Sequence, residues 1–280
     1  VVCPQGVKVA EINSLARAVM KVENGMPIRD RLITETTLMG KMMTPVAPIA
    51  NAVLGNSLAR VVMEKVVGVD KKAPMPTARS KTLHGWLRSR PKPTNKPTRG
   101  PVVFFHGCAG GYFEVDAAMK SIEVLEHIGF QVLVPKQGCC GLAHQSNGLF
   151  DRATDQVRAL VAQLRSAGTD LTIVSSAGSC GGMLRHEAHE ILGLDDPELL
   201  DVGTRTRDIS EFLMELYDAG DLPTDFKRID LRVPYHQPCQ VRSQGIGMPA
   251  ADLLRLIPGI EVVESGSICC GIAGKIGRAS

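Results

Sequence analysis

The sequence predicts an α/β fold: a helical N-terminal segment, then two repeated parallel β-α-β lobes rich in cysteine, the second incomplete. Three observations carry this. After residue 100, short apolar runs alternate with amphipathic ones, the order of a parallel sheet with helices on its faces. The unit holding "VVFFHGC" and "KQGCCG" recurs near the end as "RVPYHQPC" and "SICCG". Before residue 70, apolar residues recur at helical spacing.

Residues 7–23 read as an amphipathic helix with Val9, Ile12, Leu15 and Val19 along one face. Residues 28–42 read as a second helix, broken by Pro45 and Pro48. Residues 49–68 read as a third, apolar over much of its surface; core packing is the usual reason, a membrane interface the minority one. These make up a helical unit over 1–84, and a basic Pro-rich linker follows over 85–100.

The first lobe is expected over 101–200. "PVVFFHGC" is a buried strand ending in a loop, 114–128 a helix, and "FQVLVP" a second strand running into Cys-Cys-Gly. Residues 150–167 are helical, "LTIVSS" is a third strand, and "SCGGMLRHEAHEIL" opens another helix. Sites in such sheets lie at the carboxyl ends of the strands. Cys108, Cys139, Cys140 and Cys180 all fall just past those ends, so three loops can bring four thiols together.

The second lobe is expected over 201–280. Thirty residues separate Cys108 from Cys139, and twenty-nine separate Cys239 from Cys269. His106 recurs as His236, two or three places before the first cysteine of each lobe. A counterpart of Cys180 would lie past Ser280. The chain opens on Val1 in "VVCPQG" and stops soon after the second Cys-Cys-Gly, and it reads as a fragment.

Hydrophobic content of 44% with 22% charged residues fits a soluble globular protein, and 4% aromatics imply an aliphatic core. A net charge of +3 is too small to point to nucleic acid. Yet Lys71 to Phe113 holds nine Lys and Arg and no acid. A solvated linker explains that block; anionic lipid or an acidic partner subunit is the sharper reading. No signal peptide or bilayer-long apolar stretch is visible, so the eight cysteines are expected in a reducing cytoplasm. Patterned cysteines there point to metal or catalysis rather than disulfides.

A mononuclear zinc is usually held by two close pairs of ligands, and adjacent cysteines are awkward for it because consecutive side chains diverge. An iron–sulfur cluster is wider and accepts thiolates on different irons. A tight turn at Gly141 or Gly271 would let both neighbours face it. Cys180 opens a helix, whose N–H groups favour an anionic cluster.

The order Cys, about thirty residues, Cys-Cys-Gly, about forty residues, Cys resembles the cysteine-rich "CCG" iron–sulfur family. That family includes the heterodisulfide reductase B-subunit, glycolate and lactate oxidase iron–sulfur subunits, and the C-subunit of anaerobic glycerol-3-phosphate dehydrogenase. The stretches "DRLITETTLMGKMMTPVAPIAN", "FFHGC", "SSAGSC", "YHQPC" and "CCGIAG" are most similar to this last, glycerol-3-phosphate dehydrogenase branch. The resemblance implies [4Fe–4S] clusters, non-cubane in the heterodisulfide reductase branch. Their ligands would be Cys3, Cys108, Cys139, Cys140, Cys180, Cys239, Cys269 and Cys270. "VCPQGVKVAEI" is similar to the end of a ferredoxin motif, which would make Cys3 its last ligand and 1–84 the remnant of a ferredoxin-like domain with its connector. The resemblance also implies flavin-containing dehydrogenase partner subunits that oxidise sn-glycerol 3-phosphate, onward transfer to a quinone, and peripheral attachment at the cytoplasmic face of the inner membrane. No G-x-G-x-x-G follows a strand, consistent with flavin bound elsewhere. One departure stands out: the family pattern ends in C-x-x-C, and here Met183 takes the last place. With four cysteines in the first lobe, a conventional cluster, or none, is as defensible as a non-cubane one.

Other readings account for less. A glycolate or lactate oxidase or heterodisulfide reductase-like subunit would share the same cysteines. "GSCGG" resembles a nucleophile elbow, with Cys180 as nucleophile, His236 as base and "FFHGCAGG" as oxyanion loop. A Cys-dependent α/β-hydrolase leaves the repeat unexplained, however. A disulfide between neighbouring cysteines closes a strained eight-membered ring. Buried cysteine as a small hydrophobe suits any one of them, not seven in a pattern. His127, His186 and His189 read as solvated or helix-surface groups. His106 and His236 are placed to give hydrogen bonds beside the cluster loops, and Gly107, Gly110 and Gly111 to allow a tight backbone path.

Overall fold

The computed structural model describes residues 9–73, 75–91 and 96–267. The expectations placed on Cys3, Cys269, Cys270 and Gly271 lie outside the described residues. Strands β1 (Pro101–Phe105), β2 (Gln131–Leu133), β3 (Ile173–Ser175) and β4 (Thr206–Asp208) form one parallel sheet in the order β2-β1-β3-β4. β1 lies inside it, and every side chain after Pro101 is buried. A strand covered on both faces needs an apolar run rather than an alternation. Val103 and Phe105 join Val157, Leu160 and Leu164 of the helix Phe150–Arg165. Val102 and Phe104 join Ile122 and Leu125 of the helix Val115–Ile128 on the other side. The period-two backbone thus divides "VVFF" between two helical layers.

The first sheet continues past the expected boundary at residue 200. That boundary falls inside the helix Pro197–Arg205, and β4 follows directly and pairs with β3. β4 is the three-residue "TRD", too polar for an apolar-run search to find. Asp208 ends it and caps the helix Ile209–Asp218. Its carboxylate accepts from the Ser210 N–H at 2.9 Å, and Glu211 reaches back to the Asp208 N–H at 3.0 Å. Farther on, β5 (Leu231–Tyr235) and β6 (Ile260–Glu264) pair in parallel as a separate sheet, with the helix Pro249–Arg255 between them in sequence.

The first expected helix is Val9–Asn24, but the next two each divide. Residues 28–42 form Ile28–Thr34 and Thr36–Met43, parted where Glu35 leaves helical backbone (φ −87°, ψ 49°) among β-branched threonines. Residues 49–68 form parts of Ala47–Gly55 and Ser57–Val67. At that corner the Asn56 side chain accepts from the N–H groups of Leu58 (3.0 Å) and Ala59 (3.1 Å). Gly-Asn-Ser is a stop-and-restart signal hidden by the apolar periodicity around it. The run Thr36–Gly55 meets Ser57–Val67 at 90°, and no single helix among the described residues is long and apolar enough to cross a membrane.

The expected linker over 85–100 begins inside a helix, Leu83–Ser89. Thr82 caps it by accepting from the Gly85 N–H at 3.0 Å, and Leu83 is fully buried against β1's outer layer. Pro and basic residues make up half of the stretch and obscure one short apolar face. Arg90 forks onto Glu126 at 2.7 and 2.6 Å and lies over the Trp86 ring at 4.6 Å. Arg79 meets Asp116 at 2.7 Å, and Arg99 lies over Phe130. These arginines of the basic run are therefore partnered on the first lobe. Arg90→Ala is expected to cost about 2–3 kcal/mol, from a lost two-pronged bond in a mostly buried setting and a lost ring contact. Urea unfolding measures this, and a loss below about 0.5 kcal/mol would show the pair to be ornamental.

Candidate metal centre

Three neighbouring strands deliver four thiols to one end of the sheet. Cys108 lies in the helix Gly107–Tyr112 directly after β1. Cys139 and Cys140 lie in the loop after β2, and Cys180 lies in the helix Gly178–Gly182 after β3. Cys108 hydrogen-bonds with Cys139, Cys139 with Cys140, and Cys140 with Cys180. Cys139, Cys140 and Cys180 are buried, and Cys108 is partly so. The contacts thus run in succession from Cys108 through Cys139 and Cys140 to Cys180. Among the described residues no three His, Cys, Asp or Glu side chains converge on a single point as ligands of one ion would.

Two glutamines hold the loops in place. Gln137 accepts from the His106 N–H at 3.0 Å and donates to the Phe104 carbonyl at 2.9 Å, tying the loop before Cys139 to the end of β1. Gln163 accepts from the Gly138 N–H at 2.7 Å. Gly141 turns the chain at φ +86°, and its carbonyl receives the N–H groups of His144 (3.0 Å) and Gln145 (2.9 Å). Gly107, at φ +60°, brings backbone against Cys180: a Cβ there would lie 2.9 Å from the Cys180 sulfur. Gly110 and Gly111 leave room for the His106 side chain.

The N-terminal segment also reaches the site. The Thr36 hydroxyl donates to the Cys108 sulfur at 3.3 Å. Glu35 contacts Arg152 and lies 3.5 Å from His144, which follows the Cys-Cys-Gly turn. Sequence reading gave no part to Thr36, Gln137, Gln163, His84 or His144. Thr36 is 72 residues from Cys108, and no local pattern joins them.

Cys108, Cys139 and Cys140 are pushed toward the neutral thiol in this arrangement. The hydrogen bond with Cys139, then burial, pushes Cys108 far up. For Cys139, the bond from Cys108 works downward, but the bond to Cys140 and burial outweigh it and push it up to about 11. Cys140 also has a lowering bond, from Cys139, which the bond with Cys180 and complete burial override. Burial likewise drives His106 down to about 4. Its Nδ1 lies 2.6 Å from the Gly107 carbonyl, which can only accept, so Nδ1 carries the proton. The expected hydrogen bond from His106 thus goes to backbone next to Cys108 and not to a sulfur.

The other expected positions separate clearly. Cys239 is exposed at the start of the helix Cys239–Arg242. His127 and His189 are exposed, and His186 and His236 are partly buried with Nε2 unpartnered. Met183 is wholly buried in the core cluster that contains Cys140 and Cys180. It packs as a hydrophobe where the family pattern has its last cysteine. Met183→Leu is expected to cost less than about 1.5 kcal/mol and to leave iron content unchanged. Loss of iron in a folded Met183→Leu protein would show that the thioether is a ligand.

Residues 102–185 match the family model of the cysteine-rich domain called CCG, and a chain with this fold and thiol arrangement is an iron–sulfur protein of that class. Over 98% of its length the chain is 33% identical to the C-subunit of anaerobic glycerol-3-phosphate dehydrogenase of Escherichia coli K12, spanning 68% of that protein, and it belongs to that C-subunit family. It is 25% identical, over 98% of its length and 65% of the relative, to a probable glycolate oxidase iron-sulfur subunit of Bacillus subtilis. A 62% share of the chain is 35% identical to the B-subunit of the CoM/CoB fumarate reductase of Methanothermobacter marburgensis, covering 33% of that relative. No solved structure matches the chain.

The residues present fit an iron–sulfur group. Four soft sulfur donors lie next to one another, the ligand type and number that a polynuclear iron–sulfur cluster takes. A cavity of about 90 Å³ adjoins Cys108, lined also by Thr37, His84 and His106. Thr37 Oγ1, His84 Nε2 and His106 Nε2 are buried without hydrogen-bond partners. Buried polar atoms left so are costly unless another group meets them.

Proposed function

We propose that this chain is the iron–sulfur electron-transfer subunit of an anaerobic glycerol-3-phosphate dehydrogenase. The observation that carries the reading is the row of four thiols gathered by the loops after β1, β2 and β3. Cys108, Cys139, Cys140 and Cys180 hold one cluster, and Cys3, Cys239, Cys269 and Cys270 serve others. A bound cluster supplies a one-electron relay. The chain's own part is to fix the thiolates, exclude water and tune the potential, through burial and the Thr36 hydroxyl on the Cys108 sulfur. Flavin-containing subunits oxidise the substrate, and electrons pass through this chain toward a quinone. The protein sits peripherally on the cytoplasmic face of the inner membrane.

Iron and acid-labile sulfide assays with EPR on full-length, anaerobically purified protein test this. Comparable amounts of both are expected, with reducible cluster signals. Dye-linked dehydrogenase activity should need the partner subunits, and activity in this chain alone would contradict the assignment. The hydrolase reading meets a physical obstacle. An elbow nucleophile must stand exposed, whereas Cys180 is buried between Cys140 and the Gly107 backbone.

A further inference from the structure

The bent helix pair near the N-terminus borders a cavity of about 750 Å³, lined in part by Leu54, Arg60, Val61, Lys71, Met75 and Thr77. The cluster chemistry makes no use of it. Arg60 is 7% exposed. Its Nε donates to the Lys71 carbonyl at 3.0 Å, and its Nη2 to the Asp70 carbonyl at 3.1 Å and to that of Ala73. Nη1 is buried with no hydrogen-bond partner. All three partners are neutral carbonyls, while a guanidinium is always charged. A buried cation calls for an anion, and a planar fork suits phosphate.

The same helices show solvent an apolar face, with Leu58 76%, Val66 74% and Ile49 67% exposed. No acidic residue occurs between Glu35 and Glu64, while Lys65, Lys71 and Lys72 are exposed. A large cavity with partly apolar walls, a buried cation, a bare apolar face and surface lysines together suit an amphiphile with an anionic head.

We propose that this cavity takes the phosphate headgroup of an anionic phospholipid, with Arg60 as its buried cation and the exposed helix face among the acyl chains. This rests on the peripheral-attachment reading and gives it a site. A free phosphate ester shares the head chemistry but would leave the apolar face uncovered. Each exposed lysine adds attraction to the anionic surface that salt weakens.

The test uses full-length protein and four probes: phosphatidylglycerol-containing vesicles, pure phosphatidylcholine vesicles, dihexanoyl-phosphatidylglycerol in solution, and inorganic phosphate. Two variants accompany the wild type. Arg60→Lys keeps the charge but loses the fork. Gly55→Trp places a large side chain at the cavity lining, where an added Cβ meets nothing within 4 Å. Wild type should sediment with the anionic vesicles only. The short-chain lipid should compete, and millimolar phosphate should not. Each variant, with a wild-type circular dichroism spectrum, should bind at least tenfold more weakly. Should either variant misfold, the competition arm on wild type still decides. Vesicle binding unchanged in folded Gly55→Trp and untouched by short-chain lipid would overturn the site while leaving peripheral attachment standing. Short-chain lipid bound in solution without vesicle binding would keep the site and sink the attachment. Phosphate competing as strongly as lipid would overturn the lipid assignment.

Discussion

Replacing Cys139 and Cys140 together with serine is expected to remove the first-lobe cluster. Two of four adjacent sulfur donors vanish, and a serine hydroxyl is a poor ligand for iron beside thiolates. Iron and sulfide should fall together by one cluster's worth, and one EPR signal should disappear. The fold should survive, because the substitution changes size little. Its cost is the burial of two hydroxyls, about 1–3 kcal/mol each where no partner is found. Cys239→Ser is the matched comparison. Cys239 is exposed and lies outside this thiol row, so the first-lobe signal should persist in it. Full iron content and an unchanged EPR spectrum in the folded double variant would show that the row is packing and not a ligand set.

Much of this centre was legible because its parts repeat a simple rule. Sites of parallel sheets gather at the carboxyl ends of strands, and each expected first-lobe cysteine stood just after an apolar run. Three features escaped for separate reasons. β4 is polar, short and follows a helix without a turn signal. The Leu83–Ser89 helix runs into a Pro-rich basic stretch whose composition reads as linker. Thr36, Gln137 and Gln163 act across 25 to 72 residues, and no pattern within one segment encodes such a pairing. The N-terminal helices exposed a different weakness. Apolar periodicity located them, but it could not say which apolar face would be covered. Leu58 and Val66 remain in solvent, where core packing was the usual expectation.

Gly141→Ala is expected to destabilise the protein by roughly 3 kcal/mol or more and to lower its iron content. Two costs combine. The backbone at φ +86° is left-handed, which costs an L-residue about 1–2 kcal/mol. The added Cβ would also lie 2.8 Å from the Ala153 carbonyl oxygen and 3.2 Å from its Cα. Ala153 belongs to the helix Phe150–Arg165, which carries Val157, Leu160 and Leu164 into the core. That backbone cannot retreat without opening the layer behind β1, so the turn must move instead. Moving the turn draws Cys139 and Cys140 away from Cys108 and Cys180. Gly141→Asn separates the two costs, because Asn tolerates left-handed backbone better but keeps the clash. Gly138→Ala, two residues before Cys140, meets only Gln163 at an ordinary 3.5 Å and should cost less than about 1 kcal/mol. Urea unfolding of the cluster-free proteins, with iron assays on anaerobic preparations, reads both effects. A Gly141→Ala protein as stable as wild type and fully loaded with iron would mean that the turn does not fix the cysteine pair.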